Sequence, residues 1–236
     1  MLSISDLTFS YETSIFSKKQ PLLNKINLSI NSGDFIGIIG ANGCGKSTLL
    51  SIIAGTKKFK YGMLTFNGYQ LLSSPTLYTK NIGYLPQSNP LIPELSVYEN
   101  LKFWYKGKTS SFQKDILENL PIPEIKSYLK VPIRKLSGGI KRKVALCCAL
   151  INSPSLLILD EPGSSLDMIG KQEIFSYLKT YSKNGGTILL TTHEEKELVS
   201  CTKLFSLQNA TLTQINPPFK GELLINKIFY QGEKNE

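Results

Sequence analysis

A chain of 236 residues and 26.3 kDa holds one large domain or two small ones, long enough to bury a core without disulfides or metals. With 41% hydrophobic and 19% charged residues it is not a disordered chain, no apolar run reaches the roughly 18–20 residues of a membrane span, and the first residues lack the basic and apolar regions of a secretory signal. The net charge of +9 is spread over short runs such as Lys18-Lys19, Lys57-Lys58 and Lys141-Arg142-Lys143, which reads as a solvated basic surface rather than a nucleic-acid interface, and four cysteines with no C-x-x-C pair beside a single histidine exclude a zinc site and suit a reducing cytosol.

The chain opens with strands. Leu2, Ile4, Leu7 and Phe9 alternate imperfectly, whereas Ile26, Leu28 and Ile30 alternate cleanly, the pattern of a half-buried strand. Phe35–Ile39 is apolar throughout and reads as a buried strand, followed by a glycine-rich turn and a helix from Lys46 to Ala54. Leu64–Phe66 and Ile82–Leu85 read as further strands. Segments 96–106, 111–120 and 138–151 have helical spacing, broken by Pro121, Pro123 and Pro132. Phe103, Trp104 and Tyr105 fall in the first of these and read as core. Strand Leu156–Leu159, a helix over 168–182, strand Thr187–Thr191, a helix over 194–199 and a β pair around 204–215 complete the pattern. Strands alternating with helices at both ends predict an α/β sheet core with a helical insert. Residues 217–236 form a tail with no assignment.

Gly40-Ala41-Asn42-Gly43-Cys44-Gly45-Lys46-Ser47 matches the phosphate-binding pattern G-x-x-x-x-G-K-[ST], between an apolar strand and a helix. The glycines let backbone N–H groups converge on phosphate oxygens, and the helix beginning near Lys46 adds its positive end. Lys46 neutralises the terminal phosphates of a nucleotide and Ser47 offers a hydroxyl to magnesium. Leu156-Leu157-Ile158-Leu159-Asp160-Glu161 is an apolar strand ending in two carboxylates, at the end where open α/β sheets bind ligands. Asp160 suits the metal shell, and Glu161 suits a general base for the attacking water.

Leu136-Ser137-Gly138-Gly139 precedes Asp160 and opens a predicted helix, a second anion site far from the first in sequence. Here the sequence resembles the ATP-binding subunits of ABC transporters, and the resemblance covers about residues 1–215. It implies an α/β fold with a P-loop NTPase core and a mixed sheet, an N-terminal antiparallel β part, and a helical subdomain at about 88–153 that bears the signature. It implies that Tyr11 stacks on adenine, that Thr48 continues the phosphate loop, that Gln87 contacts the metal and couples to a partner, and that Ser165-Leu166-Asp167 is the D-loop. It further implies that His193 is the switch histidine, a catalytic residue with Glu161 and Gln87. ATP and Mg²⁺ are the implied ligands, with Ser47, Gln87 and Asp160 on the metal. Two ATPase subunits would pack head to tail, each ATP lying between one phosphate loop and the other's Ser137-Gly138-Gly139, with Asp167 nearby. A permease on a separate chain would hold the subunit at the inner face of the cell membrane, with residues 87–105 as the docking groove.

Two residues depart from the family's most familiar form. Ile140 stands where glutamine is usual after the signature glycines, which is similar to subunits of the ABC-2 exporter type and implies export. Gly163 stands where threonine follows Asp-Glu-Pro, with no loss of activity expected. An importer ATPase and a non-transport ABC ATPase acting on a membrane-bound partner are the alternatives. Cys44 lies between the loop glycines, where Lys46 and the helix start favour a reactive thiol; the alternative is that it packs inward. Cys147 and Cys148, on an apolar helix, are expected to be shielded.

Overall fold

The computed structural model describes residues 1–11, 20–113 and 120–216. The antiparallel part is a sheet in the order β2-β1-β4-β5, built from β1 (Leu2–Phe9), β2 (Leu23–Ile30), β4 (Tyr61–Phe66) and β5 (Tyr69–Gln70). Its alternating inward residues, such as Leu2, Ile4, Ile26, Leu28, Ile30, Leu64 and Phe66, are all buried. That alternation is what one-sided burial of an antiparallel sheet demands.

The second sheet has the order β10-β9-β3-β8-β7-β6, where β3 is Phe35–Ile39, β6 Ile82–Leu85, β7 Leu156–Asp160, β8 Thr187–Thr191, β9 Lys203–Gln208 and β10 Thr211–Ile215. All neighbours are parallel except the hairpin of β9 and β10. Strands β3, β7 and β8 are buried at every position, as central strands covered on both faces must be. Helix α1 (Lys46–Ile53) follows β3 directly, and Leu49, Leu50, Ile52 and Ile53 lock it into the core shared by the two sheets. The short helix α2 (Pro75–Thr79) precedes β6.

Between β6 and β7 the chain forms α3 (Val97–Trp104), 3₁₀ turns at Thr109–Ser111, Pro123–Tyr128 and Ile133–Lys135, and α4 (Gly138–Leu150). Ser96 caps α3 in a reciprocal box with Glu99, and the buried Asn100 side chain bonds to the backbone of Ile92 and Ser96. Helices α3 and α4 pack with α5 (Met168–Lys183) on the other face of the sheet, around Val97, Leu101, Leu146, Ile174 and Leu178. Lys143 of α4 staples this layer, pairing with Glu124 at 2.5 Å and with Glu173 of α5 at 2.6 Å. Helix α6 (Glu195–Leu198) lies between β8 and β9.

Several expectations need correction. The helix read over 96–106 stops at Trp104, since its buried stripe is Val97, Asn100 and Leu101. Phe103 is 63% exposed and Trp104 38%, so this aromatic pair is surface rather than core. The helix read over 111–120 begins on a 3₁₀ turn at Thr109–Ser111, and most of the rest lies outside the described residues, as does the tail 217–236. Helix α2 and strand β5 had no sequence signal beyond Pro75 and a Gly68 turn.

Candidate functional site

The loop joining β3 to α1 needs backbone that only glycine adopts without strain: Gly43 has φ 79° and Gly45 φ 110°. Gly45 occupies the N-cap of α1, where no side chain caps the helix, so the first N–H groups face outward. Lys46 is buried, and its Nζ donates to Gly40 O at 2.6 Å and Ala41 O at 3.0 Å. The lysine thereby holds the loop's carbonyls on its inner side.

The loop opens onto a cavity of about 770 Å³, lined by Tyr11, Leu22, Ala41, Asn42, Gly43, Gly45, Lys46, Ser47, Thr48, Gln87, Glu161 and His193. Tyr11 is half exposed at its edge; its hydroxyl lies 2.9 Å from Thr48 Oγ1, and Lys57 Nζ sits 4.7 Å from its ring centre. Gly40 and Cys44 belong to the loop but do not line the cavity. Cys44 packs against the core shared with α1, its Sγ close to where a Cβ on Gly40 would stand. The inward alternative for Cys44 is therefore the one the structure adopts.

The two carboxylates at the end of β7 differ sharply. Asp160 is buried, and its Oδ1 accepts from Thr191 Oγ1 at 2.6 Å. Glu161 has φ 48°, a left-handed backbone that costs a non-glycine residue about 1–3 kcal/mol. Its N–H donates to Thr191 O and Oγ1, each at 3.1 Å. Its carboxylate turns into the cavity, where Oε2 lies 3.4 Å from Gln87 Nε2 and Oε1 3.5 Å from His193 Nε2. Gln87, just past β6, and His193, just past β8, thus meet the end of β7 at one carboxylate.

Ser137, Gly138, Gly139 and Asp167 lie away from this cavity. Ser137 caps α4, its Oγ accepting from Ile140 N at 3.3 Å, and is exposed, as is Gly138. Asp167 caps α5, its Oδ1 accepting from Gly170 N at 2.7 Å. A Cβ on Gly163 would meet Lys171 Cγ at 3.4 Å, an ordinary contact, so the departure at that position relieves no crowding.

Sequence reasoning missed Arg142. Read as part of a scattered basic run, it is only 1% exposed and reaches the backbone beneath both Gln87 and Glu161. The available signal was helical spacing, since Arg142 lies four residues before Leu146 and eight before Leu150 on the apolar face of α4.

A phosphate loop before a buried helix, at the carboxyl edge of a parallel sheet and facing paired carboxylates, defines a P-loop nucleotide-binding protein. The model of the ABC transporter family matches residues 23–164. The chain belongs to that family and carries its ATPase cassette. It is 33% identical over 223 residues to the spermidine/putrescine import ATP-binding protein PotA of Legionella pneumophila (strain Lens), covering 91% of this chain and 61% of PotA. It therefore spans about three fifths of that relative's length. It is also 36% identical over 179 residues to the Nod factor export ATP-binding protein I of Sinorhizobium fredii, covering 75% of this chain and 52% of that protein. Among solved structures, the ATP-binding cassette MJ0796 in a dimeric post-hydrolysis state bound to ADP and Pi superposes with a TM-score of 0.81. The identity there is 27%, over 92% of this chain and all of that one.

Proposed function

We propose that the chain is the ATP-hydrolysing subunit of a transporter whose membrane domain is a separate permease, and that it works at the inner face of the cell membrane. The observation that carries this reading is the convergence of Lys46, Ser47, Gln87, Glu161 and His193 on one cavity. Residues 1–216 form the cassette, with about 88–153 as its helical subdomain. Tyr11 offers a ring for the adenine, and the loop from Gly40 to Thr48 wraps the phosphates. Glu161 accepts a proton from the attacking water, with Gln87 and His193 orienting the carboxylate and the water. Ser47, Gln87 and Asp160 are oxygen donors of the hard kind that suit magnesium alongside substrate phosphates, and the ion when bound neutralises charge on the transferring phosphoryl group.

A Cβ on Gly138 would meet nothing within 4 Å. The chain's own packing therefore does not require glycine there, which supports a ligand approaching Ser137, Gly138 and Gly139 from outside. In this reading that ligand is the ATP held by a second subunit, identical or paired, arranged head to tail, with Asp167 at the same interface. The exposed Phe103–Trp104 pair, ring centres 5.5 Å apart, supports residues 87–105 as the permease docking face. Ile140 and the resemblance to exporter subunits favour export; the PotA relatives, named for import, support an importer as the second reading. The permease that co-purifies, reconstituted in vesicles, decides the direction.

The test is Glu161→Gln, which keeps the shape and removes the proton acceptor. Turnover should fall on the order of 10²–10⁴-fold. ATP binding should survive, so the variant should accumulate as an ATP-bound dimer on sizing. Wild-type turnover, or no dimer with ATP, counts against the assignment.

A further inference from the structure

We propose that Arg142 is a positioning residue for ATP hydrolysis: from the helix that begins at the signature, it fixes the backbone of Gln87 and of Glu161 to one guanidinium and so aims both side chains together. It rests on the assignment of Glu161 as the base. Arg142 does not line the cavity, so it can act only through the groups it holds.

Its fork divides between two chain segments. Nη1 donates to Pro86 O at 2.6 Å, Gln87 O at 3.2 Å and Asn89 Oδ1 at 3.1 Å. Nη2 donates to Asp160 O at 2.6 Å and Glu161 O at 2.9 Å, and Nε to Pro162 O at 3.3 Å. The planar, rigid guanidinium makes this a fixed spacer between the loop after β6 and the turn after β7. Burial lowers its pKa, and Asp160, Glu161 and Tyr84 offset part of that, leaving it at about 10, so it stays a cation at neutral pH.

The turn it grips is the strained one. A left-handed non-glycine residue persists only where its surroundings over-determine it. Thr191 holds the Glu161 N–H, and Arg142 holds the Glu161 carbonyl. Without the second hold the peptide after Glu161 can rotate and swing the carboxylate away from Gln87 and His193. Arg142 also lies one turn past the signature glycines on α4, so a displacement of the signature end of that helix reaches the same carboxylate.

The test compares Arg142→Met, which keeps the stem and removes every donor, with Arg142→Lys, which keeps the charge but not the fork. Purified protein is followed by ATP titration, steady-state turnover and thermal unfolding. For Arg142→Met, kcat should fall by about tenfold to a hundredfold, the cost of misplacing a reacting group by an ångström or so, with ATP affinity within about twofold. Arg142→Lys should recover part of the loss. In the Glu161→Gln background Arg142→Met should slow turnover by less than about threefold, because both act through one carboxylate. Unchanged kcat, an equal loss of ATP affinity, or full additivity with Glu161→Gln overturns the proposal. If Arg142→Met does not fold, Asn89→Ala removes one half-buried side-chain acceptor of the same web; a kcat decrease of about two- to fivefold at unchanged affinity supports the proposal, and no decrease overturns it. A slow Glu161→Gln beside a wild-type-like Arg142→Met removes Arg142 alone. A wild-type-like Glu161→Gln removes the base assignment and the route through it.

Discussion

The loop at Gly40–Thr48 and the turn at Ser137–Gly139 both place backbone N–H groups at the start of a helix, yet they are built in opposite ways. The first is closed from within: Lys46 binds its carbonyls, Cys44 packs behind it, and Gly43 and Gly45 have φ values that side chains resist. The second is open: Ser137 and Gly138 are exposed, and a Cβ at Gly138 would meet nothing within 4 Å. The difference teaches that glycine serves two purposes in one chain. At the first site it satisfies local geometry, and at the second it leaves open space, which the proposed function fills with a second subunit's ATP.

The largest effect should come from the closed site. Lys46→Ala removes an ammonium that holds the loop carbonyls and, in the proposed function, the phosphates. Charge-assisted hydrogen bonds are worth about 1.5–3 kcal/mol each, so losing two should weaken ATP binding by at least about a hundredfold. Unchanged affinity in a nucleotide titration would break the phosphate-loop half of the contrast.

Gly138→Val probes the open site. Thermal unfolding and ATP affinity of the single subunit should stay near wild type, because a Cβ there meets nothing within 4 Å. ATP-dependent dimer formation, read by sizing, should be lost, and turnover should drop by about tenfold or more as the backbone N–H groups are fenced off from phosphate. A variant that still dimerises and turns over normally would show that the open turn faces no ligand.

The smallest effect belongs to the cavity rim. Tyr11→Ala should raise the ATP Kd by about tenfold, consistent with one base–aromatic stack of about 1–3 kcal/mol. A matching titration with a triphosphate lacking the base should show no change, since only the ring contact is removed. Equal losses for both ligands would assign Tyr11 to loop support through Thr48 instead.

Much of the closed site was legible because its chemistry is written in consecutive residues. Gly40 to Ser47 is a contiguous pattern, and Asp160-Glu161 ends an unbroken apolar strand. The meeting of Gln87, Glu161 and His193 was legible only through family resemblance, because parallel strand order, not local spacing, brings the ends of β6, β7 and β8 together. Arg142 was read as surface charge. Its neighbours Lys141 and Lys143 disguise it as surface charge, while its partners are backbone carbonyls, which leave no mark in sequence. Phe103 and Trp104 failed for the opposite reason: apolar residues at a helix end look like core until the helix stops.

The placement of sulfur gives the chain an internal gauge of its own packing. Cys147, Cys148 and Cys201 are buried, and burial pushes the thiols of Cys147 and Cys201 up to about 12, far from the form that reacts. Cys44, half-buried, packs against a different apolar cluster. Reaction of the three buried thiols under native conditions therefore reads the fraction of molecules whose interior has opened, with no nucleotide or partner required. Because Cys44 and the other three sit in separate apolar clusters, on opposite faces of the parallel sheet, the change in each one's reaction rate on heating reports on its own face.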